Sequence, residues 1–168
     1  MLSARARIVR ISVSPGGGPK RPVPAARVTA LGLQGDAHRD LEHHGGPERA
    51  LCLFSLDRIR APQDEGHPIT SGSIGENITL EGESWDAVAP GLCLLLGVEV
   101  IAQVTRYITP CRTITASFRD RDYSRVSPPR HPGDRRVYVR VLREGSLTNG
   151  DPVQPLTEVE ARRLIDSR

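Results

Sequence analysis

The sequence predicts a mainly β fold: a barrel, closed or nearly closed, with a few short helices and a C-terminal helix. Two observations carry that prediction. Apolar residues recur with period two in short runs, as in Val9, Ile11 and Val13, and again in Val137, Val139 and Val141. Turn-forming residues punctuate them throughout, with 16 glycines and 14 prolines in 168 residues. That length fits a single domain over residues 1–168, large enough to bury roughly 70% of its unfolded surface.

In chain order, Val9 to Val13 reads as a half-buried first strand. Pro15-Gly16-Gly17-Gly18-Pro19 breaks it and leads to Lys20, the sole lysine; the glycines do not form a Walker A sequence. Val23 to Leu33 reads as a second strand and Ala50 to Phe54 as a third, apolar on both faces. Ser55 to Ala61 holds one helical turn. A Gly/Pro/Ser-rich loop, residues 62–75, ends in Gly72-Ser73-Ile74-Gly75-Glu76-Asn77 before a short strand, Ile78 to Leu80. Leu92 to Leu96 and Val98 to Thr105 form two strands around Gly97, the second with Val98, Val100, Ala102 and Val104 on one face. Arg119 to Asp134 reads as a long surface loop, a flap, before the strand marked by Val137, Val139 and Val141. Thr157 and Glu160 give the capping box of a last helix, with Val159, Leu164 and Ile165 as its apolar stripe.

Composition narrows the function classes. The longest apolar run, Leu92 to Leu96, is far too short to cross a membrane, and Met1 to Arg7 shows no secretory h-region. The expectation is a cytoplasmic protein. Three cysteines without CxxC spacing argue against a disulfide framework and an iron–sulfur cluster. The net charge of +3 is arginine-based, and between Arg112 and Arg143 the arginines are interleaved with Asp120, Asp122, Asp134 and Glu144. With 4% aromatics there is little for base stacking, so a salt-bridged, solvated face is expected rather than a nucleic-acid surface.

Gly32 to Leu53 concentrates the polar chemistry and reads as one wall of a pocket. Its His38-x4-His43 span satisfies a zinc spacing, with His44, Asp36 and Glu42 nearby, but no cysteine pair accompanies it. Histidines that hold the loop or touch a ligand are the preferred reading. Arg49 and Lys20 are anion contacts, with exposed surface charge as the alternative. Glu76 and Asn77 either close a turn or hydrogen-bond a polar ring. Cys111 is the reactive candidate: it follows Pro110, lies between Arg106 and Arg112, and opens a segment able to start a short helix. A neighbouring cation or helix N-terminus favours thiolate, the form that attacks or ligates metal. Cys52 and Cys93 lie in apolar strands, where cysteine behaves as a small hydrophobe.

Gly32-x-x-Gly35-Asp36-x-His38, His44-Gly45-Gly46-Pro47-x-Arg49-Ala50, Gly72-x-x-Gly75-Glu76-Asn77 and Pro110-Cys111, in that order, resemble the MOSC domain family. This is the domain that ends molybdenum cofactor sulfurases and also occurs alone in bacteria. Pro19-Lys20-x-Pro22-Val23 and Arg136-Val137-Tyr138-x-Arg140-Val141-Leu142 resemble the stand-alone bacterial members, so the likeness spans nearly the whole chain. It implies a barrel similar to the β-barrel domain of pyruvate kinase and binding of the pyranopterin molybdenum cofactor. Cys111 would be metal ligand or sulfur carrier. Lys20, Asp36, His38, His44, Gly45, Gly46, Arg49, Gly75, Glu76, Asn77 and Arg112 would line the cofactor, with the basic residues at its phosphate. The pyridoxal phosphate of the larger desulfurase relatives belongs to a separate domain and is not expected in this chain.

Three functions follow as expectations. The first is a molybdenum oxidoreductase reducing N-hydroxylated or N-oxygenated small molecules, with electrons from a separate reductase. The second is a sulfur carrier, with a persulfide on Cys111 supplied by a cysteine desulfurase. The third is a non-catalytic, RNA-binding barrel.

Overall fold

The computed structural model of the protein describes residues 6–16, 19–37, 45–82 and 84–167. Along the chain run β1 (Arg7–Val13), β2 (Arg21–Val23), β3 (Ala25–Thr29), β4 (Gly32–Leu33), β5 (Leu51–Ser55) and α1 (Leu56–Asp64). Then come β6 (Ile78–Glu81), β7 (Cys93–Leu96), β8 (Val100–Tyr107), β9 (Val137–Arg143), β10 (Gly145–Thr148), β11 (Val153–Leu156) and α2 (Glu158–Asp166). Eight strands form one sheet in the order β11-β7-β8-β9-β5-β6-β1-β2, antiparallel except for β5 beside β6; a smaller sheet holds β10-β3-β4.

The large sheet curls back on itself. The Ile8 N–H donates to the Asp151 carbonyl (2.9 Å), that of Gly150 to Ile8 (2.7 Å) and that of Val153 to Ala6 (2.9 Å). Among the described residues an isolated bridge, Arg7 with Pro152, joins the two ends, so the architecture is barrel-like without a continuous closing ladder there. Inside lie Ile8, Ile11, Leu51, Leu53, Ile78, Leu80, Leu94, Leu96, Val104, Val137 and Val139, all buried. Residues alternating with these face outward. On β7 and β8 the outward Cys93, Leu95 and Ile101 are covered by Ala161, Leu164 and Ile165 of α2. Its Thr157–Glu160 capping box is present in both directions.

Several elements differ from expectation. The second strand is three pieces, β2, β3 and β4, broken at Pro24 and at the turn before Gly32. In β1 a register shift between Ile8 and Arg10 against β6 brings Ile8, rather than Val9, to the core with Ile11. Val98 is 78% exposed in the β7–β8 turn, and Val159 is 59% exposed, Ala161 taking its place against the sheet. α1 is longer than one turn and continues through Pro62. Residues 119–134 are no free flap. They contain short 3-10 turns, bury Val126, and are tied down by Arg125, which pairs with both Glu65 and Asp134. Among the described residues no helix is long and apolar enough to cross a membrane.

Candidate functional site

Opposite the barrel interior, β9, β5, β6 and β1 present a second face. Val137 and Val139 point inward, so Arg136, Tyr138 and Arg140 face out; Cys52 faces out between Leu51 and Leu53. The register sets Cys52 beside Tyr138. The Asn77 N–H donates to the Cys52 carbonyl (2.8 Å) and the Ser12 N–H to the Asn77 carbonyl (2.8 Å). A row Tyr138–Cys52–Asn77–Ser12 therefore crosses the sheet and forms the floor of the site.

Asn77 is committed to that floor. Its Oδ1 accepts from the Cys52 N–H (3.0 Å), and its Nδ2 donates to Asp36 Oδ2 (2.9 Å) and to the Ser12 carbonyl (3.3 Å). Asp36 Oδ1 accepts from the Ser14 N–H (2.9 Å) and from Lys20 Nζ (2.7 Å). The Lys20 and Asp36 side chains are 5% and 2% exposed, a buried pair joining the β1–β2 loop to the segment after β4. This differs from the expected phosphate contact at Lys20: its ammonium is held by Asp36. The Lys20 N–H donates to the Gly72 carbonyl (2.9 Å). Gly72 has φ +83°, and a Cβ there would stand 2.7 Å from the Lys20 carbonyl oxygen, so only glycine permits this approach.

Glu76 is fully buried, and neither of its carboxylate oxygens has a hydrogen-bond partner. Burial pushes its carboxyl up to about 7; the nearby backbone N–H groups of Glu76 and Gly72 and the Arg136 and Arg10 charges offset this only in part. Arg136, 6% exposed, donates from Nη1 to the Ile74 carbonyl (2.7 Å), while its Nε lacks a partner. Cys52 lies within electrostatic reach of Arg136, Glu76, Lys20 and Asp36, and burial pushes its thiol up to about 12. Tyr138 is likewise pushed to about 12, first by burial and then by Cys52. Both groups keep their protons at neutral pH.

The rim is built from two turns. The 3-10 turn Pro47–Arg49 sits over β8 and β9: Thr105 Oγ1 donates to the Glu48 carbonyl (2.7 Å), and Arg140 pairs with Glu48 (3.4 Å). Gly45 and Gly46 lead into it at φ +81° and +86°, and half-buried Arg49 lies within reach of Tyr138. The other turn, Arg112–Ser117, opens at Cys111. Its hold on the body comes from buried Ile114, from Ser117 Oγ donating to Ser73 Oγ (2.9 Å), and from Phe118, edge-on to His67 at 5.5 Å. Cys111 Sγ lies 2.9 Å from Thr113 Oγ1 and is half-exposed, whereas Cys52 and Cys93 are buried; Arg112 is exposed.

The fold thus brings Lys20, Asp36 and Asn77 into one hydrogen-bonded network, with the buried, unpartnered Glu76 next to Asn77 in sequence and Gly75 before it at φ +89°. Among the described residues Cys111 is not hydrogen-bonded into this network; it lies within electrostatic reach of Tyr138, the neighbour of Cys52. His38 and His44, like Glu42 and His43, lie outside the described residues. Among the described residues no three His, Cys, Asp or Glu side chains group as a metal site. Sequence reasoning missed Arg136, Tyr138 and the polar setting of Cys52. The signal was present: once Val137 and Val139 are assigned inward, period two turns Arg136 and Tyr138 toward the neighbour of Cys52.

Comparison with known proteins agrees with this architecture. The family model of the MOSC domain matches residues 40–154. The chain is 28% identical over 143 residues to YflK of Bacillus subtilis, covering 84% of this chain and 63% of YflK. To YiiM of Escherichia coli it is 25% identical over 136 residues, covering 79% and 59%. The chain therefore spans about 60% of the length of these curated relatives. The crystal structure of YiiM from Geobacillus stearothermophilus superposes with a TM-score of 0.65 at 25% identity, covering 90% of this chain and 75% of that one.

Proposed function

The chain belongs to the MOSC domain family, and from that premise we propose that it binds a pyranopterin molybdenum cofactor and reduces N-hydroxylated or N-oxygenated small molecules. The observation that carries this reading is Cys111. Of the three thiols it is the one reachable from outside, and it stands at the rim of a face that holds a buried, unpartnered carboxylate.

The residues present fit such a group in part. Cys111 is available as a thiolate ligand, and Arg112, with half-buried Arg49, offers guanidinium groups for a phosphate. Lys20 is committed to Asp36, and Asn77 to the strands, so these residues build the wall and hold its shape. When bound, the cofactor supplies the two-electron step. Cys111 would hold the metal; Arg49 and Arg112 would fix the anionic end. Tyr138 and Cys52, protonated at neutral pH, keep the floor uncharged. A separate reductase would deliver the electrons, and residues 1–168 would act as a single domain.

The same reachable thiol supports the alternative of sulfur carriage from a cysteine desulfurase. One experiment separates the readings: molybdenum and pterin analysis of the purified protein beside Cys111→Ser, with intact mass and reduction of 6-hydroxylaminopurine. Molybdenum and activity in the wild type, both lost in the variant, is the expected result. A metal-free protein that stays inactive after cofactor reconstitution would overturn it. An added sulfur on Cys111 without molybdenum would favour the carrier.

A further inference from the structure

Glu76 and Arg136 present an anomaly. A carboxyl and a guanidinium are buried within electrostatic reach of each other, each has unpartnered atoms, and yet they are not hydrogen-bonded. A buried carboxylate beside a free guanidinium nitrogen gains most by pairing with it. Pairing would be driven by a charged carboxylate and only weakly by a neutral carboxylic acid, so the arrangement is sensitive to the charge on Glu76.

Arg136 is meanwhile attached elsewhere, its Nη1 on the Ile74 carbonyl (2.7 Å). The neighbouring Ser73 accepts from Ser117 (2.9 Å), and Ser117 closes the turn that begins at Cys111. A physical chain thus runs from Glu76 through Arg136 and residues 73–74 to the reactive thiol. We propose that Glu76 is a positioning residue for Cys111, acting through Arg136. With Glu76 neutral, Arg136 stays on Ile74 and the turn is held. With Glu76 ionised, the guanidinium swings to the carboxylate, and the grip on residues 72–75 and the Cys111 turn loosens.

Burial, which pushes Glu76 up to about 7, places this change near neutral pH. The charged groups around it are Arg136 ahead of β9 and Arg10 on β1. The Cys52 thiol of β5 lies close by and also senses the Lys20–Asp36 pair. The inference rests on reading Cys111 as the reactive atom, but it does not require molybdenum.

The test is alkylation of the cofactor-free protein by iodoacetamide, for wild type and Glu76→Gln, at pH 6 and pH 8. Cys52 and Cys93 are buried, so the rate reports Cys111. The ratio of wild-type to variant rates at each pH removes the dependence on pH that the two proteins share. The expected ratio, wild type over variant, is about one at pH 6 and about threefold or more at pH 8, the scale of coupling along a packed path. An unchanged ratio overturns the proposal. Should Glu76→Gln not fold, amide exchange of the wild type decides: protection at Ser73 and Gly75 that falls between pH 6 and pH 8, after correction for intrinsic exchange, supports it, and constant protection overturns it. Failure of the molybdenum reading would leave both measurements intact, so the two failures are distinguishable.

Discussion

Glu76 is the residue whose chemistry reaches furthest. Its carboxyl is raised from 4.5 to about 7 by burial. Between those values the folded chain keeps a proton that the unfolded chain has released, so stability falls as pH rises through the window, and the loss is complete above about 7. A shift of that size corresponds to about 3 kcal/mol. Glu76→Gln, which cannot ionise, is expected to exceed the wild type in stability at pH 8 by up to about 3 kcal/mol. Near pH 4.5 the difference should vanish. Urea denaturation at the two pH values checks this, and equal stability at both would refute it. The Gly-Glu-Asn motif was legible in the sequence; that Asn77 is used up in hydrogen bonds while Glu76 has none was not. Which of two adjacent polar residues meets a partner depends on the strands beside them, and sequence spacing does not carry that.

At the scale of elements, the site depends on loops locked to strands more than on the strands themselves. Gly72 is the tightest such lock, with positive φ and the Lys20 carbonyl close by. Gly72→Ala is expected to cost about 1–3 kcal/mol through backbone strain and the displaced carbonyl, measurable as a lower denaturation midpoint. Because Lys20 carries the partner of Asp36, the same variant should also loosen the Lys20–Asp36 pair. The capping box of α2 and the inward valines of β9 were legible because they are local: one spacing of three residues and one alternation of two. The strand read over Val23 to Leu33 failed because Pro24 and the turn ahead of Gly32 divide it, and its pieces serve two different sheets. The flap read over Arg119 to Asp134 failed because its polar residues, Arg125 and Asp134, are ion-paired to one another and to Glu65 and Arg58 instead of to water.

For the whole molecule, β5, β8 and β9 lie in the middle of the large sheet, while β2 is its edge and β4 a two-residue edge of the small one. Amide exchange is expected to be slowest in β5, β8 and β9, near the global unfolding limit, and fast in β2 and β4. Uniform exchange across these strands would contradict that ordering. By itself the sequence determined the class of fold, the number of short strands to within a few, and the polar segments and cysteine worth attention, because period-two patterning, turn residues and apolar context are written in neighbouring positions. Only the tertiary structure decided that Tyr138, Cys52, Asn77 and Ser12 line up across the face away from the barrel interior. It also joined Lys20 to Asp36, set Cys52 beside Tyr138, and left Cys52 and Arg136 within electrostatic reach of a buried, unpaired Glu76. Those relations depend on which strands lie side by side and in what register, and a shift of one residue would send each of these side chains to the opposite face.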